Sequence, residues 1–324
     1  MNEPFVRPDV RSFLGFVANV PAPRMHELEP PAAREQYRAM RDIADLPVGD
    51  LAVIKDLSIS GPAGNIAARL FDARADRLPG PAVVFFHGGG FVIGDLDTHA
   101  PACAEMARIL DFPVIAVDYR LAPEHPWPAA PDDCEAAARW VAGSPAELGR
   151  AVTSLVLSGD SAGGALTIVT AMALRDTPAN VPVIAQFPIY PAADTKNEYP
   201  SFKQFAEGYL LDRAAMKWFD AAYRADSSNW RASPMQGNVA GLPPALVLTA
   251  GLDPLRDQGR AYAAALIQAG IAVSYREAKG NIHGFITIRK AIPSSQGDYN
   301  SALAVLKDIV AEAEAERVMA QAAS

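Results

Sequence analysis

The chain has 324 residues and a formal net charge of −8, with 29 Lys and Arg residues against 37 Asp and Glu residues. Apolar residues make up 50% of the chain and charged residues 20%, a balance that excludes a disordered or fibrous class. No basic cluster is longer than the pair Arg289 and Lys290, so the sequence lacks the positive surface that nucleic acid requires. We therefore expect no nucleic-acid partner.

The N-terminal residues, Met1 to Pro4, lack the basic and apolar regions of a secretory signal. No run of about 18 uncharged apolar residues follows, so we expect a cytoplasmic protein without a membrane span. The two cysteines, Cys103 and Cys134, are too few for a disulfide framework and lack the spacing of a zinc site. We interpret both thiols as small buried hydrophobic groups, and we predict no metal and no cofactor.

Residues 1–50 contain two helical stretches punctuated by prolines and show no strand pattern, so we predict that they form an N-terminal cap segment. Beyond them, short apolar runs alternate with helical stretches, which predicts an α/β fold with a mostly parallel sheet covered on both faces. A C-terminal helix is predicted over 299–320; its packing against the sheet or against a partner subunit, as in a homodimer, stays open. The predicted strands are 53–60, 66–71, 82–86, 114–117, 155–157, 183–187, 245–248 and 273–275.

More than fifty residues separate the strand that ends near Tyr190 from the strand that begins near Ala245. This stretch is polar at first and helical around 212–223. A structureless loop of this length would be uncommon in a compact domain. We therefore predict an inserted cap segment at 194–230, and a catalytic domain made of residues 51–193 and 231–324.

The strongest local motif is Gly159-Asp160-Ser161-Ala162-Gly163, which follows a buried strand and leads into a helical stretch. A serine on so sharp a turn is strained, and glycine two positions before and after it leaves room for the neighbouring strand and helix. This pattern predicts Ser161 as a nucleophile. By itself the motif is also compatible with an ordinary turn in which Ser161 caps the helix. Other residues are needed to distinguish a nucleophile from a helix cap.

One such feature is His87-Gly88-Gly89-Gly90, which directly follows the third predicted strand. Successive glycines allow the backbone N–H groups to point into a cleft, where, together with the N–H of Ala162, they can hold the oxyanion of a tetrahedral intermediate. The alternative is a flexible glycine loop without a role. We interpret His87 as a structural residue that braces the loop by hydrogen bonds.

A carboxylate and a histidine follow the last two strands, at the sheet edge where Ser161 also lies. Asp253 comes just after the seventh strand, whereas its rival Asp257 falls at the start of a helix, where capping and the helix dipole already explain it. His283 lies in a glycine-flanked loop after the eighth strand. The order serine, acid, histidine is the one expected of a serine hydrolase with a parallel sheet, so we predict the triad Ser161, Asp253 and His283.

At this point the sequence resembles the hormone-sensitive-lipase-like family of bacterial esterases (family IV of the α/β-hydrolase superfamily), in the branch whose serine motif reads Gly-Asp-Ser-Ala-Gly-Gly. The resemblance covers most of the chain from about residue 50 onward. It implies an α/β-hydrolase fold with a helical cap. The matching stretches are His-Gly-Gly-Gly at 87–90, Asp-Tyr-Arg-Leu-Ala-Pro-Glu-His-Pro at 118–126, Gly-Asp-Ser-Ala-Gly-Gly at 159–164, Asp-Pro-Leu-Arg-Asp at 253–257 and His-Gly-Phe at 283–285.

The resemblance implies the same triad, and an oxyanion hole formed by the glycine loop and Ala162, in which Gly88 supports the turn. It favours a serine carboxylesterase that hydrolyses small-molecule esters with short to medium acyl chains through an acyl-enzyme. Two other functions stay open: a related acyl hydrolase (amidase, lactonase or deacetylase), and a non-catalytic protein that binds small molecules in the same cleft. We interpret Asp160 as structural. The candidates for substrate contacts, which are equally compatible with core packing, are Phe91, Tyr190, Tyr209, Leu210 and Phe285.

Overall fold

A single eight-stranded sheet forms the centre of the computed structural model, which describes residues 3–322. Every strand predicted from the apolar runs is present, and each of them extends beyond its predicted bounds. The strands are β1 Val53–Gly61, β2 Gly64–Asp72, β3 Gly80–Phe86, β4 Val114–Asp118, β5 Val152–Asp160, β6 Val183–Ile189, β7 Ala245–Leu252 and β8 Val273–Ile282.

The strand order in the sheet is β1-β2-β4-β3-β5-β6-β7-β8. β1 pairs with β2, and β2 with β4, in antiparallel register, while all pairs from β4 through β8 are parallel. The carboxyl ends of the parallel strands therefore meet at one edge of the sheet. The four predicted site segments follow β3, β5, β7 and β8 at that edge.

Helices cover both faces of the sheet, as the alternation of strands and helices predicted. Val84 and Phe86 of β3 belong to one buried cluster, whereas Val83 and Phe85 belong to the other, because successive side chains of a strand point to opposite faces. The helices are α1 Pro8–Asn19, α2 Pro30–Ala44, α3 Leu96–Leu110, α4 Ala129–Ala142, α5 Ala162–Asp176, α6 Pro200–Gln204, α7 Arg213–Tyr223, α8 Arg256–Gln268 and α9 Ser294–Ala322.

Helices α4, α5 and α8 contribute to the first cluster, and α3 and α9 to the second. The C-terminal helix α9 packs against the sheet, where Tyr299, Leu303 and Leu306 are fully buried. Among the described helices, none is both long enough and apolar enough to cross a membrane.

The N-terminal segment lies next to the ends of the strands that lead to the predicted triad. Val10 and Phe13 of α1 share a third buried cluster with Leu252 and Ile282, the residues that precede Asp253 and His283. Both α1 and α2 begin with proline, which suits the first turn of a helix because its N–H has no intrahelical acceptor there. The division of the chain into cap and catalytic segments stays a prediction.

Candidate active site

Ser161 lies on a strained turn between β5 and α5. Its backbone has φ 56° and ψ −116°, a conformation that residues with a Cβ rarely adopt. A Cβ at Gly159 or at Gly163 would overlap the Phe86 carbonyl oxygen, so only glycine allows β3, β5 and α5 to approach this closely. The turn thus meets the steric requirements on which the prediction of a nucleophile depended.

The hydrogen bonds of Ser161 separate the two interpretations of the turn. Its backbone N–H donates to the Ile189 carbonyl over 2.9 Å, and its carbonyl accepts from Ala192 and Ala165, each over 3.1 Å. Its side chain makes no capping hydrogen bond with α5. The hydroxyl instead lies 2.8 Å from Nε2 of His283, so the helix-cap alternative does not describe this serine.

His283 and Asp253 complete a continuous hydrogen-bonded chain with the serine. Nδ1 of His283 lies 2.8 Å from Oδ2 of Asp253, and a carboxylate can only accept, so the proton on Nδ1 faces the acid. Nε2 is then free to accept from the serine hydroxyl. Asp253 is fully buried, and its Oδ1 accepts the Leu255 N–H over 2.7 Å, which fixes the carboxylate in place.

Asp257, the rival acid, lies in a separate set of contacts. Its carboxylate accepts the Ser201 N–H and pairs with Arg256 and Arg260. Partial burial raises the pKa of Asp257, but Arg256 and the Ser201 N–H outweigh this and lower it overall. The structure therefore brings Asp253, and not Asp257, next to His283.

The glycine loop lies against Asp160, the residue before Ser161, through Gly88. Gly89 and Gly90 have φ values of 119° and 58°, in the region that favours glycine. Within residues 3–322 the structure records no acceptor for either N–H. Ala162 is the first residue of α5, so its N–H also lacks an intrahelical acceptor. The Gly88 N–H, in contrast, already donates to Asp160 over 2.8 Å, so Gly88 supports the loop and is not available to an oxyanion.

His87 braces the loop and is buried away from the serine. Its Nδ1 donates to the Gly88 carbonyl over 2.8 Å, its carbonyl accepts from the Tyr119 hydroxyl over 2.7 Å, and its ring stacks on that of Tyr119. Burial, and after it the neighbouring His99, lower the pKa of His87 to about 4. A histidine with so low a pKa is a poor general base near neutral pH.

The five candidates for substrate contacts occupy different positions. Phe91 stacks on Tyr223 at 3.8 Å between ring centroids. Tyr190 and Phe285 are fully buried and pack edge-on against each other. The Tyr190 ring lies 4.6 Å from that of His283, so Tyr190 supports the histidine. Tyr209 is half-buried against Phe205, and Leu210 is 37% exposed with φ 71°. Substrate contacts for these residues stay a prediction.

Two segments without a recognisable motif contact the glycine loop or the residues beside it. The ring of Phe219, on α7, lies against Gly90 so closely that a Cβ there would overlap it. The guanidinium of Arg34, on α2, donates to the carbonyls of Val92 and Ala122 over 2.7 and 2.9 Å. Both contacts depend on long-range packing, which no local pattern of residues reveals.

Comparisons with known proteins show the family of this chain. The model of a family described by its alpha/beta hydrolase fold matches residues 83–287. Esterase LipI of Mycobacterium tuberculosis is 38% identical over 84% of this chain and 87% of its own length. An ethyl acetate hydrolase of Pseudomonas putida is also 38% identical, over 83% of this chain and 86% of its own.

Solved structures extend the likeness to nearly the whole chain. An alpha/beta hydrolase enzyme from the metagenome of Lake Arreo, Spain, superimposes with a TM-score of 0.88 at 38% identity, over 94% of this chain and 98% of that one. A thermostable esterase from Pseudomonas putida superimposes with a TM-score of 0.89 at 30% identity, over 96% and 99%. Fold, sequence motifs and relatives agree: this chain belongs to the alpha/beta hydrolase family, among its hormone-sensitive-lipase-like esterases.

Proposed function

We propose that this chain is a serine carboxylesterase that hydrolyses short- to medium-chain carboxylic esters through an acyl-enzyme formed on Ser161. The observation that carries the proposal is the hydrogen-bonded chain from Ser161 through His283 to Asp253, with 2.8 Å at each step. Relatives named esterase, carboxylic ester hydrolase and ethyl acetate hydrolase support the ester as the bond that is cleaved.

The proposed reaction has two halves, acylation of Ser161 and hydrolysis of the acyl-enzyme. Each of these groups acts once in each half. As Ser161 Oγ attacks the ester carbonyl carbon, its proton passes to Nε2 of His283. Asp253 keeps the imidazole in the required tautomer and stabilises the imidazolium. The N–H groups of Gly89, Gly90 and Ala162 bind the carbonyl oxygen as it becomes negative, which is worth about 2.7–4 kcal/mol for one donor.

The tetrahedral intermediate then collapses and expels the alcohol, which takes its proton from the imidazolium. Water then attacks the acyl-enzyme by the same steps, with His283 again as the base, and the carboxylic acid is released. Ser161 regains its proton, so the protein returns to its starting state.

The preference for short to medium chains is supported by the aromatic side chains around the glycine loop. Phe219 lies against Gly90, and Tyr223 stacks on Phe91, so α7 narrows the space over the loop. A long acyl chain would have to displace α7. We propose that Phe219 and Tyr223 limit the size of the ester.

The test is a series of nitrophenyl esters from acetate to palmitate, with Ser161→Ala and Phe219→Ala as variants. We expect kcat/KM to fall beyond medium chains, Ser161→Ala to lose turnover with unchanged folding, and Phe219→Ala to shift the optimum toward longer chains. Near-normal turnover by Ser161→Ala would overturn the proposed nucleophile. Matched amides and lactones, assayed in parallel, separate an esterase from a related acyl hydrolase.

Covalent labelling by an organophosphate addresses the non-catalytic alternative. An active serine should be phosphorylated with one equivalent per chain, and Ser161→Ala should not be labelled. A protein that only binds small molecules would show no labelling in either form. The homodimer stays a prediction that sedimentation measurements can test.

A further inference from the structure

Asp160, directly before the proposed nucleophile, is a buried carboxylate that the reaction above does not use. Its side chain is 4% exposed and lies at the end of β5. Oδ1 accepts the Gly88 N–H over 2.8 Å and lies 3.2 Å from Nε2 of His99, while Oδ2 accepts from the Tyr190 hydroxyl over 3.3 Å. One carboxylate thus joins the glycine loop, helix α3 and the residue after β6.

Two of these partners, Gly88 and Tyr190, lie next to groups that take part in the proposed reaction. Gly88 immediately precedes Gly89 and Gly90, whose N–H groups lack protein acceptors within residues 3–322. The ring of Tyr190 lies 4.6 Å from that of His283. Asp160 is therefore connected both to the loop that would bind the oxyanion and to the ring that packs on the catalytic base.

The third partner, His99, secures the carboxylate itself. Its Nδ1 lies 3.0 Å from the Thr98 hydroxyl, and its Nε2 faces Oδ1 of Asp160, so both ring nitrogens have partners. Burial by itself raises the pKa of Asp160, but His99 and the Gly88 N–H outweigh it and lower the pKa overall. The carboxylate is thus ionised near neutral pH, when it can only accept hydrogen bonds.

The loop has little freedom around this contact. A Cβ at Gly88 would overlap the Asp160 carboxylate, so the peptide lies directly against it. Without the carboxylate, the buried Gly88 N–H would keep only a longer contact, 3.3 Å to Nε2 of His99, a weaker arrangement that rotation of the peptide would relieve. Such a rotation would also turn the two N–H groups that follow.

We propose that Asp160 is a positioning residue for catalysis: by accepting the Gly88 N–H, it aims the Gly89 and Gly90 N–H groups at the ester oxygen. Through Tyr190 it also supports the ring of His283. The inference rests on the proposed function, because it assigns Asp160 to the oxyanion hole of that reaction.

The experiment compares Asp160→Ala with Asp160→Asn in the full chain, using a short nitrophenyl ester. Each preparation is titrated with an organophosphate, so that kcat refers to active sites. We expect Asp160→Ala to lower kcat about 10²-fold, the size of a lost oxyanion donor, with KM within about twofold. Asp160→Asn should stay within about tenfold of wild type, because its amide oxygen still accepts the Gly88 N–H.

Asp133→Ala is the matched control for loss of a buried carboxylate. Asp133 is fully buried in α4 and accepts hydrogen bonds from the backbone and guanidinium of Arg120. We expect this variant to melt at a lower temperature and to keep kcat per active site. If Asp160→Ala behaved in the same way, or if Asp160→Asn lost as much kcat as Asp160→Ala, positioning through the Gly88 N–H would be wrong.

The inference and the proposed function fail in different ways. Wild type that neither turns over the ester nor reacts with the organophosphate would contradict the esterase itself. An active, fully labelled wild type together with an equally active Asp160→Ala would contradict only the positioning role.

Discussion

Two carboxylates, four residues apart, differ in their neighbours, and this difference predicts different effects on catalysis. Asp253 faces Nδ1 of His283, whereas Asp257 pairs with arginines. We expect Asp253→Asn to lower kcat about 10⁴-fold, as loss of the acid does in the Ser-His-Asp template, because the imidazole would take the wrong tautomer. Asp257→Asn is the control and should retain kcat. Ester kinetics on both variants provide the test, and the opposite ranking would exchange their roles.

The burial of His87 predicts a pH-dependent loss of stability. Burial and His99 lower its pKa to about 4 in the folded protein, from 6.5 in the unfolded chain. Above pH 6.5 both states are neutral, so the folded state has its full advantage. As the pH falls from 6.5 toward 4, the unfolded chain binds a proton that the folded chain excludes, and about 3 kcal/mol of unfolding free energy is lost.

His87→Asn removes this titration while its side-chain amide can still donate to the Gly88 carbonyl. We expect urea unfolding between pH 7.5 and 4.5 to show a shallower loss of stability in this variant than in wild type. His125→Asn, at an exposed histidine, is the control for the loss of an imidazole. Parallel pH profiles for wild type and His87→Asn would contradict the assignment.

Helix α7 contacts the proposed oxyanion loop through the ring of Phe219. Gly90 has φ 58° and the Phe219 ring fills the space where a Cβ would lie. We expect Gly90→Ala to lower kcat about 10²-fold, because the loop must move away from the ring and carry its N–H donor with it. Adding Phe219→Ala should restore part of that loss, because it removes the overlap.

Gly149→Ala is the control for backbone strain without overlap. Gly149 has φ 69°, and the space around its missing Cβ is open. The change should cost roughly 1–2 kcal/mol of stability and leave kcat unchanged. If the effects of Gly90→Ala and Phe219→Ala on kcat simply added in the double variant, the ring would not restrict the loop.

The elements and the site differ in how far the sequence determines them locally. The strands are short apolar runs, and the turn at Ser161 needs glycine on both sides, so both were predictable from neighbouring residues. Asp253 and His283 were predictable because the carboxyl ends of parallel strands share one edge. The contact of Phe219 with Gly90 was not, because it depends on how a distant helix packs on the loop. For the same reason the substrate-contact residues could not be selected.

Across the whole molecule, a buried ion pair joins the N-terminal segment to the region after His283, the proposed catalytic base. Arg289 is 2% exposed and Asp45 is 3% exposed, and the guanidinium makes two hydrogen bonds to the carboxylate, over 2.9 and 3.1 Å. Backbone N–H groups of Lys290 and Ala291 also donate to the Ala44 carbonyl. The end of α2 is thereby fixed to the loop that follows His283.

Removing one partner of this pair should leave the other charge buried and unpaired. We expect Arg289→Met to lower the free energy of unfolding by about 3–5 kcal/mol, and the double variant with Asp45→Leu to regain most of it. Glu198→Gln, which breaks an exposed pair with Arg213, should cost at most about 1 kcal/mol. Urea unfolding gives these values; a double variant as unstable as the sum of its parts would contradict a pairwise charge effect.

The same ion pair has a consequence for how the protein is made. Asp45 and Arg289 are 244 residues apart in the chain. During synthesis, α2 therefore leaves the ribosome long before Arg289. Until then, Asp45 at the end of α2 has no ion-pair partner from that segment. His283 is made shortly before Arg289, so a nascent or truncated chain that stops before His283 carries Ser161 without its proposed base. Ester hydrolysis should begin only after His283 has left the ribosome, and folding should be slow because contacts such as Asp45 with Arg289 join residues distant in sequence.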